Sequence, residues 1–163
     1  MHYLIDTNVA VVASGRSDAG PACVLAAVDR ISQLQQSEIL VLDDGFHILG
    51  EYDHNLHSDG QPGLGDAFYL WALRNRSNSR HCEQVPLVLA DDGSFAAFPT
   101  AAELIKFDPS DRKFVAAALT HAANPPVVNA VDTDWHAHYT ALVGHGVRVE
   151  FLCPAEMTRP RRA

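Results

Sequence analysis

Four acidic residues stand where the chain changes its local character. Asp6 closes the apolar run Tyr3-Leu4-Ile5, and Asp132 closes Val127-Val128-Asn129-Ala130-Val131. Asp111 lies in the helix-starting string Asp108-Pro109-Ser110-Asp111, and Glu51 sits beside the apolar face of Ile48-Leu49-Gly50-Glu51-Tyr52. Asn8 and Asp134 each follow a strand-end aspartate by two residues. Ordinary roles exist for all of them, because Asp and Asn commonly start turns and cap helices. Asp6 and Asp134 fit such caps, and Asp108 with Asp111 has capping-box spacing around Pro109 at the first helical position. A chemical role requires the acids to meet. Two carboxylates about 5 Å apart repel by roughly 3 kcal/mol at an effective dielectric near 20. A cluster of four therefore calls for protonation or a cation, and an all-oxygen donor set suits Mg²⁺ or Mn²⁺ rather than zinc. Such ions activate water and stabilise a leaving phosphodiester oxygen, so no nucleophilic side chain is needed. None is signalled: the chain has no GxSxG, no GxxxxGK[ST] and no GxGxxG after a strand.

The elements that must position these acids alternate. Short buried strands are expected at Tyr3 to Ile5, Ile39 to Leu42, Val127 to Val131 and Val147 to Leu152, with a further one within Val85 to Leu89. Helical spacing of Val24, Val28 and Ile31 behind Gly20-Pro21 predicts a helix over 21–36. Asp43-Asp44 should start a helix carrying Ile48, Leu49, Tyr52 and Leu56, and 66–76 reads as an aromatic-rich helix ending in cations. Helices should also follow Asp111 and Trp135. The stretch 77–107 is the least legible, with a loop over Ala90 to Pro99 and a short helix at 100–105. Strands separated by helices predict an α/β fold, a central mainly parallel sheet between helical layers with right-handed crossovers. Strand ends then share one edge, and helix starts such as Asp111 open at it.

At 163 residues the chain fits one domain over 1–152, with 153–163, ending Arg-Pro-Arg-Arg-Ala, expected to be a flexible tail. A net charge of −8 opposes a general polyanion-binding surface but leaves room for a local site. No apolar run is long enough to span a bilayer and no signal peptide is visible, which predicts a cytoplasmic protein without membrane contact. Cys23, Cys82 and Cys153 are far apart and without CxxC spacing, so they are expected as reduced thiols. His54/His57 and His136/His138 invite a zinc reading, yet nine scattered histidines produce such pairs by chance. Phe68, Tyr69 and Trp71 at helical spacing point to core or a dimer interface before a base-stacking platform. Arg74, Arg76 and Arg80 read as a solvated helix end before a phosphate contact.

Taken in order, Asp6-Thr7-Asn8, Glu51 in its helix, Asp108-Pro109-Ser110-Asp111-Arg112-Lys113-Phe114 and Asp132-Thr133-Asp134 resemble PIN domains. That family comprises Mg²⁺/Mn²⁺-dependent nucleases, mostly acting on RNA, and includes the toxins of VapBC-type toxin–antitoxin pairs. The resemblance covers about 1–58 and 107–152. It implies a three-layer α/β/α fold and a catalytic metal site of Asp6, Glu51, Asp111 and Asp132, with Asp134 as a further ligand and Asn8 assisting. It also implies RNA as substrate and a cognate antitoxin as partner; a homodimer is a further expectation, from the aromatic helix. Two rival readings accompany it. One is a non-catalytic PIN-like interaction module whose acids only cap helices and would show no divalent-metal affinity. The other is a haloacid-dehalogenase-like phosphohydrolase, which needs a second acid where Asn8 stands and a later lysine; Lys106 and Lys113 have no convincing context for it.

Overall fold

The computed structural model describes residues 1–158. Five short strands form one sheet: β1 (His2–Ile5), β2 (Ile39–Asp43), β3 (Cys82–Val85), β4 (Val127–Asn129) and β5 (Val149–Phe151). Their order is β3-β2-β1-β4-β5 and every neighbouring pair is parallel. The inner strands of such a sheet are covered on both faces and are mainly apolar, whereas the edge strands β3 and β5 carry Glu83, Gln84 and Glu150. Leu4, Ile5, Leu40, Val41, Leu42, Val127 and Val128 accordingly have no exposed surface. Around the sheet lie α1 (Thr7–Ala13), α2 (Pro21–Ser37), α3 (His47–Asn55), α4 (Leu64–Asn75), α5 (Arg112–Thr120), α6 (Thr133–Ala137), α7 (Tyr139–Gly144) and α8 (Pro154–Met157). The architecture is the three-layer α/β fold expected, with an all-parallel sheet. Chain order reverses between β1 and β4, which makes the carboxyl end of that pair a topological switch point.

Most elements fall where their patterns place them, and the exceptions have local causes. The helix expected from Asp43 begins at His47, since Asp43 is the last residue of β2. Its carboxylate still serves that helix, accepting from the amides of Gly45, His47 and Ile48 and from His47 Nδ1. Phe46, left-handed at φ 65°, makes the turn between them. The β3 strand lies at Cys82–Val85 rather than Val85 to Leu89. Leu89 instead bridges Phe95 within its own loop. Helix α4 starts at Leu64, pressed so closely on α1 that a Cβ on Gly65 would fall 1.8 Å from the Ala10 carbonyl oxygen. Phe68 and Tyr69 are core, while Trp71 is half-buried.

The expectation of three reduced cysteines is corrected. Cys23 and Cys153 form a disulfide with Cα atoms 5.5 Å apart, closing a separation of 130 residues. Only Cys82 is free, and it is buried. Spacing carries no trace of this pair, because the fold alone brings the start of α2 against the segment after β5. Just beyond Cys153, Glu156 Oε1 accepts from the Gly20 amide at 3.0 Å, and Met157 is buried. Residues 159–163 lie outside the described residues. Among the described residues no helix is long and apolar enough to cross a membrane.

Candidate functional site

The switch point holds three of the predicted acids. Asp6 leaves β1 and caps α1, its Oδ1 accepting from the Asn8 amide at 3.2 Å. Its Oδ2 accepts from Trp135 Nε1, whose ring is fully buried and packs edge-on against Phe107. Asp132 follows β4 and caps α6, its Oδ1 accepting from the Asp134 amide at 2.9 Å. Asp111 ends the 3₁₀ turn Pro109–Asp111 that leads into α5. Carboxylate oxygens of Asp6, Asp111 and Asp132 all lie within 4.8 Å of one another.

The remaining predicted residues support or border this cluster. Asn8 Oδ1 accepts from the amides of Ala130 and Val131, and its Nδ2 donates to Asn129 Oδ1 at 2.7 Å. It fastens α1 to the turn that carries Asp132. Asp134 stands outside the three-acid cluster, with Oδ2 accepting from the Asp108 amide at 2.8 Å and Oδ1 3.1 Å from His138 Nδ1. It thereby ties α6 to the turn bearing Asp111. Asp108 does cap that turn, accepting from the amide and hydroxyl of Ser110. Glu51 is likewise not among the carboxylates that meet: its Oε2 pairs with Lys113 Nζ at 2.8 Å, and its Oε1 accepts from Asn55. The structure thus gathers Asp6, Asp111 and Asp132, and places Glu51 and Asp134 in neighbouring contacts.

Three further residues belong to the site. Asn129 is fully buried at the end of β4 and holds the Asp132 turn through the Asp132 amide and carbonyl. Trp135 orients Asp6. Lys113 matches the charge of Glu51. An amide inside an otherwise apolar strand was a readable signal for Asn129, whereas Trp135 gave none beyond its size.

Burial dominates the electrostatics. It pushes the Asp6 carboxyl up to about 7, against the lowering effect of the Asn8 amide, and the charge of Asp132 adds to the rise. Asp111 is pushed higher still, by burial first and then by the charges of Asp6, Asp132 and Asp108. No donor reaches the buried Asp111 Oδ2. A cavity of about 620 Å³ is lined by Phe95, Phe98, Leu104, Ile105, Pro109 and Arg112; none of the three clustered acids lines it, though Pro109 and Arg112 are near Asp111 in sequence. The Arg112 guanidinium lies 4.8 Å over the Phe98 ring and donates to the carbonyls of Ile105 and Phe107. Compared with known proteins, the chain matches no family model, no curated protein and no solved structure.

Proposed function

We propose that this chain is a Mg²⁺- or Mn²⁺-dependent endoribonuclease of PIN type, hydrolysing RNA phosphodiester bonds at Asp6, Asp111 and Asp132. The observation that carries the reading is Asp111. Helix capping accounts for one oxygen each of Asp6 and Asp132, but Asp111 Oδ2 is buried, faces carboxylate charge and has no donor. A buried acid in that position requires a proton or a cation. Three carboxylates and no thiolate make a donor set for a hard divalent ion, and these three residues would hold it. Such an ion supplies activated water and charge stabilisation at the phosphoryl group.

The protein's own contributions are positional. Trp135 and Asn129 fix Asp6 and the Asp132 turn, and Lys113 neutralises Glu51 at the border. The cavity lined by Phe95 and Phe98 would offer aromatic rings to an unpaired base of a single strand. RNA as the substrate, a cognate antitoxin, a homodimer and a cytoplasmic place of action come from the resemblance and from sequence character. The phosphohydrolase alternative finds no support at Asn8, whose carbonyl oxygen is committed to two backbone amides.

The test is cleavage of single-stranded RNA by purified protein in Mg²⁺ or Mn²⁺, with and without chelator. Asp6→Asn and Asp132→Asn should each lose at least about 10²-fold, because acids sharing an ion act as a unit. Glu51→Gln, outside the cluster, should lose less than about 10-fold, and His136→Ala should lose little. Cleavage that survives chelator or both aspartate substitutions would overturn the reading.

A further inference from the structure

Among the described residues one other group has the chemistry of a metal centre, and it lies at the opposite end of α5. His2 opens β1, Glu83 is on β3, and His121 directly follows α5. Asp111 starts that helix at the carboxyl edge of the sheet, so His121 falls at the amino edge. In the β1–β2–β3 register His2 faces Ile39 while Glu83 faces Val41, and the two side chains meet across β2. That spans two strand spacings, about 10 Å. His2 Nε2 lies 2.8 Å from Glu83 Oε2, and His121 Nε2 lies 3.2 Å from Glu83 Oε1. One ligand atom from each residue falls within 4.8 Å of the other two. His121 is only 7% exposed, and its buried Nε2 faces the Glu83 carboxylate.

We propose that His2, Glu83 and His121 form a second metal site, distinct from the carboxylate cluster and suited by its two imidazoles and one carboxylate to Zn²⁺. Ligand atoms about 2.0–2.1 Å from a tetrahedral zinc stand roughly 3.3 Å from one another; here the three lie within 4.8 Å of one another, so loading draws them closer. Glu83 is exposed, which leaves the fourth position to water. The ion would fasten β1, β3 and the end of α5 together. Loading it also moves a proton. The Ala123 amide donates to His121 Nδ1 at 3.0 Å, which keeps the ring proton on Nε2. An ion on Nε2 shifts that proton to Nδ1, so the Ala123 amide must leave this contact. A purely ionic His–Glu–His contact would need no such change.

The experiment uses Zn²⁺ alone and the full chain carrying Asp111→Asn, which impairs the carboxylate cluster. Calorimetric titration should show one equivalent bound, with the Ala123 amide resonance moving as the ion loads. His2→Gln and Glu83→Gln in the same background should each weaken binding at least about 10-fold, since even residues behind the ligands contribute 10- to 100-fold. Both positions are partly or fully exposed, and circular dichroism checks that the variants are folded. Equal Zn²⁺ affinity in all three chains, or no binding by the folded Asp111→Asn chain at tens of micromolar metal, would overturn the site.

Discussion

Asp111 is the residue at which a cap and a reactive group part company. Asp6 and Asp132 both give one oxygen to a backbone amide, so either could be explained by helix starts alone. Asp111 Oδ2 receives no donor and is buried among like charges. This has a consequence for stability without metal. The carboxyls of Asp6 and Asp111 are held above the ordinary aspartate value of 3.8, so the native chain retains protons that the unfolded chain has lost. Their stabilising contribution is whole below about pH 4, declines as pH rises through about 7 where Asp6 ionises, and declines further as Asp111 follows. Urea unfolding in chelator should therefore show stability falling over that range. Asp111→Asn should be more stable than wild type by about 1 kcal/mol at pH 8, and little different at pH 4. Lower stability of that variant at pH 8 would mark Asp111 as structural. Asp6→Asn is a less clean probe, because it also disturbs the Trp135 contact.

At the scale of elements, the acids meet because two strand–helix turns are riveted together. Asn8 at the start of α1 accepts from two amides in the β4–α6 turn and donates to Asn129, which in turn holds the Asp132 backbone. Asp134 adds the tie from α6 to the turn bearing Asp111. Removing the Asn8 side chain leaves the Ala130 and Val131 amides without their acceptor. Asn8→Ala should then cost about 1–3 kcal/mol in denaturant unfolding. Mn²⁺-induced thermal stabilisation should also shrink, as the turns carrying Asp6 and Asp132 lose register. An unchanged unfolding midpoint would mean that water replaces the amide and the rivet is dispensable. The same logic explains Glu51. Helix α3 brings it against α5, but the partner it finds there is Lys113 rather than another acid.

For the molecule as a whole, the disulfide is the longest-range constraint. Closing 130 residues with a covalent link lowers the entropy of the unfolded chain by an amount worth up to about 5 kcal/mol. Reduction, or a Cys23→Ser/Cys153→Ser pair, should lower the melting temperature, and thiol titration of the unreduced, denatured protein should find one thiol. Three thiols, with no response to reductant, would return the chain to the reduced state its cysteine spacing suggested. What the sequence determined by itself was local. Apolar runs and helical spacing located most strands and helices, and their alternation implied a parallel sheet with Asp6 and Asp132 on one edge. These features are readable because burial on both faces and helix periodicity act over a few residues. The tertiary structure alone decided which side chains meet. It closed Asp6, Asp111 and Asp132, all expected at one edge, into a cluster, but left Glu51 with Lys113 and Asp134 with Asp108. It also gathered His2, Glu83 and His121 from three distant elements, and linked Cys23 to Cys153. Such contacts depend on strand order and helix crossing, and no spacing along the chain records them.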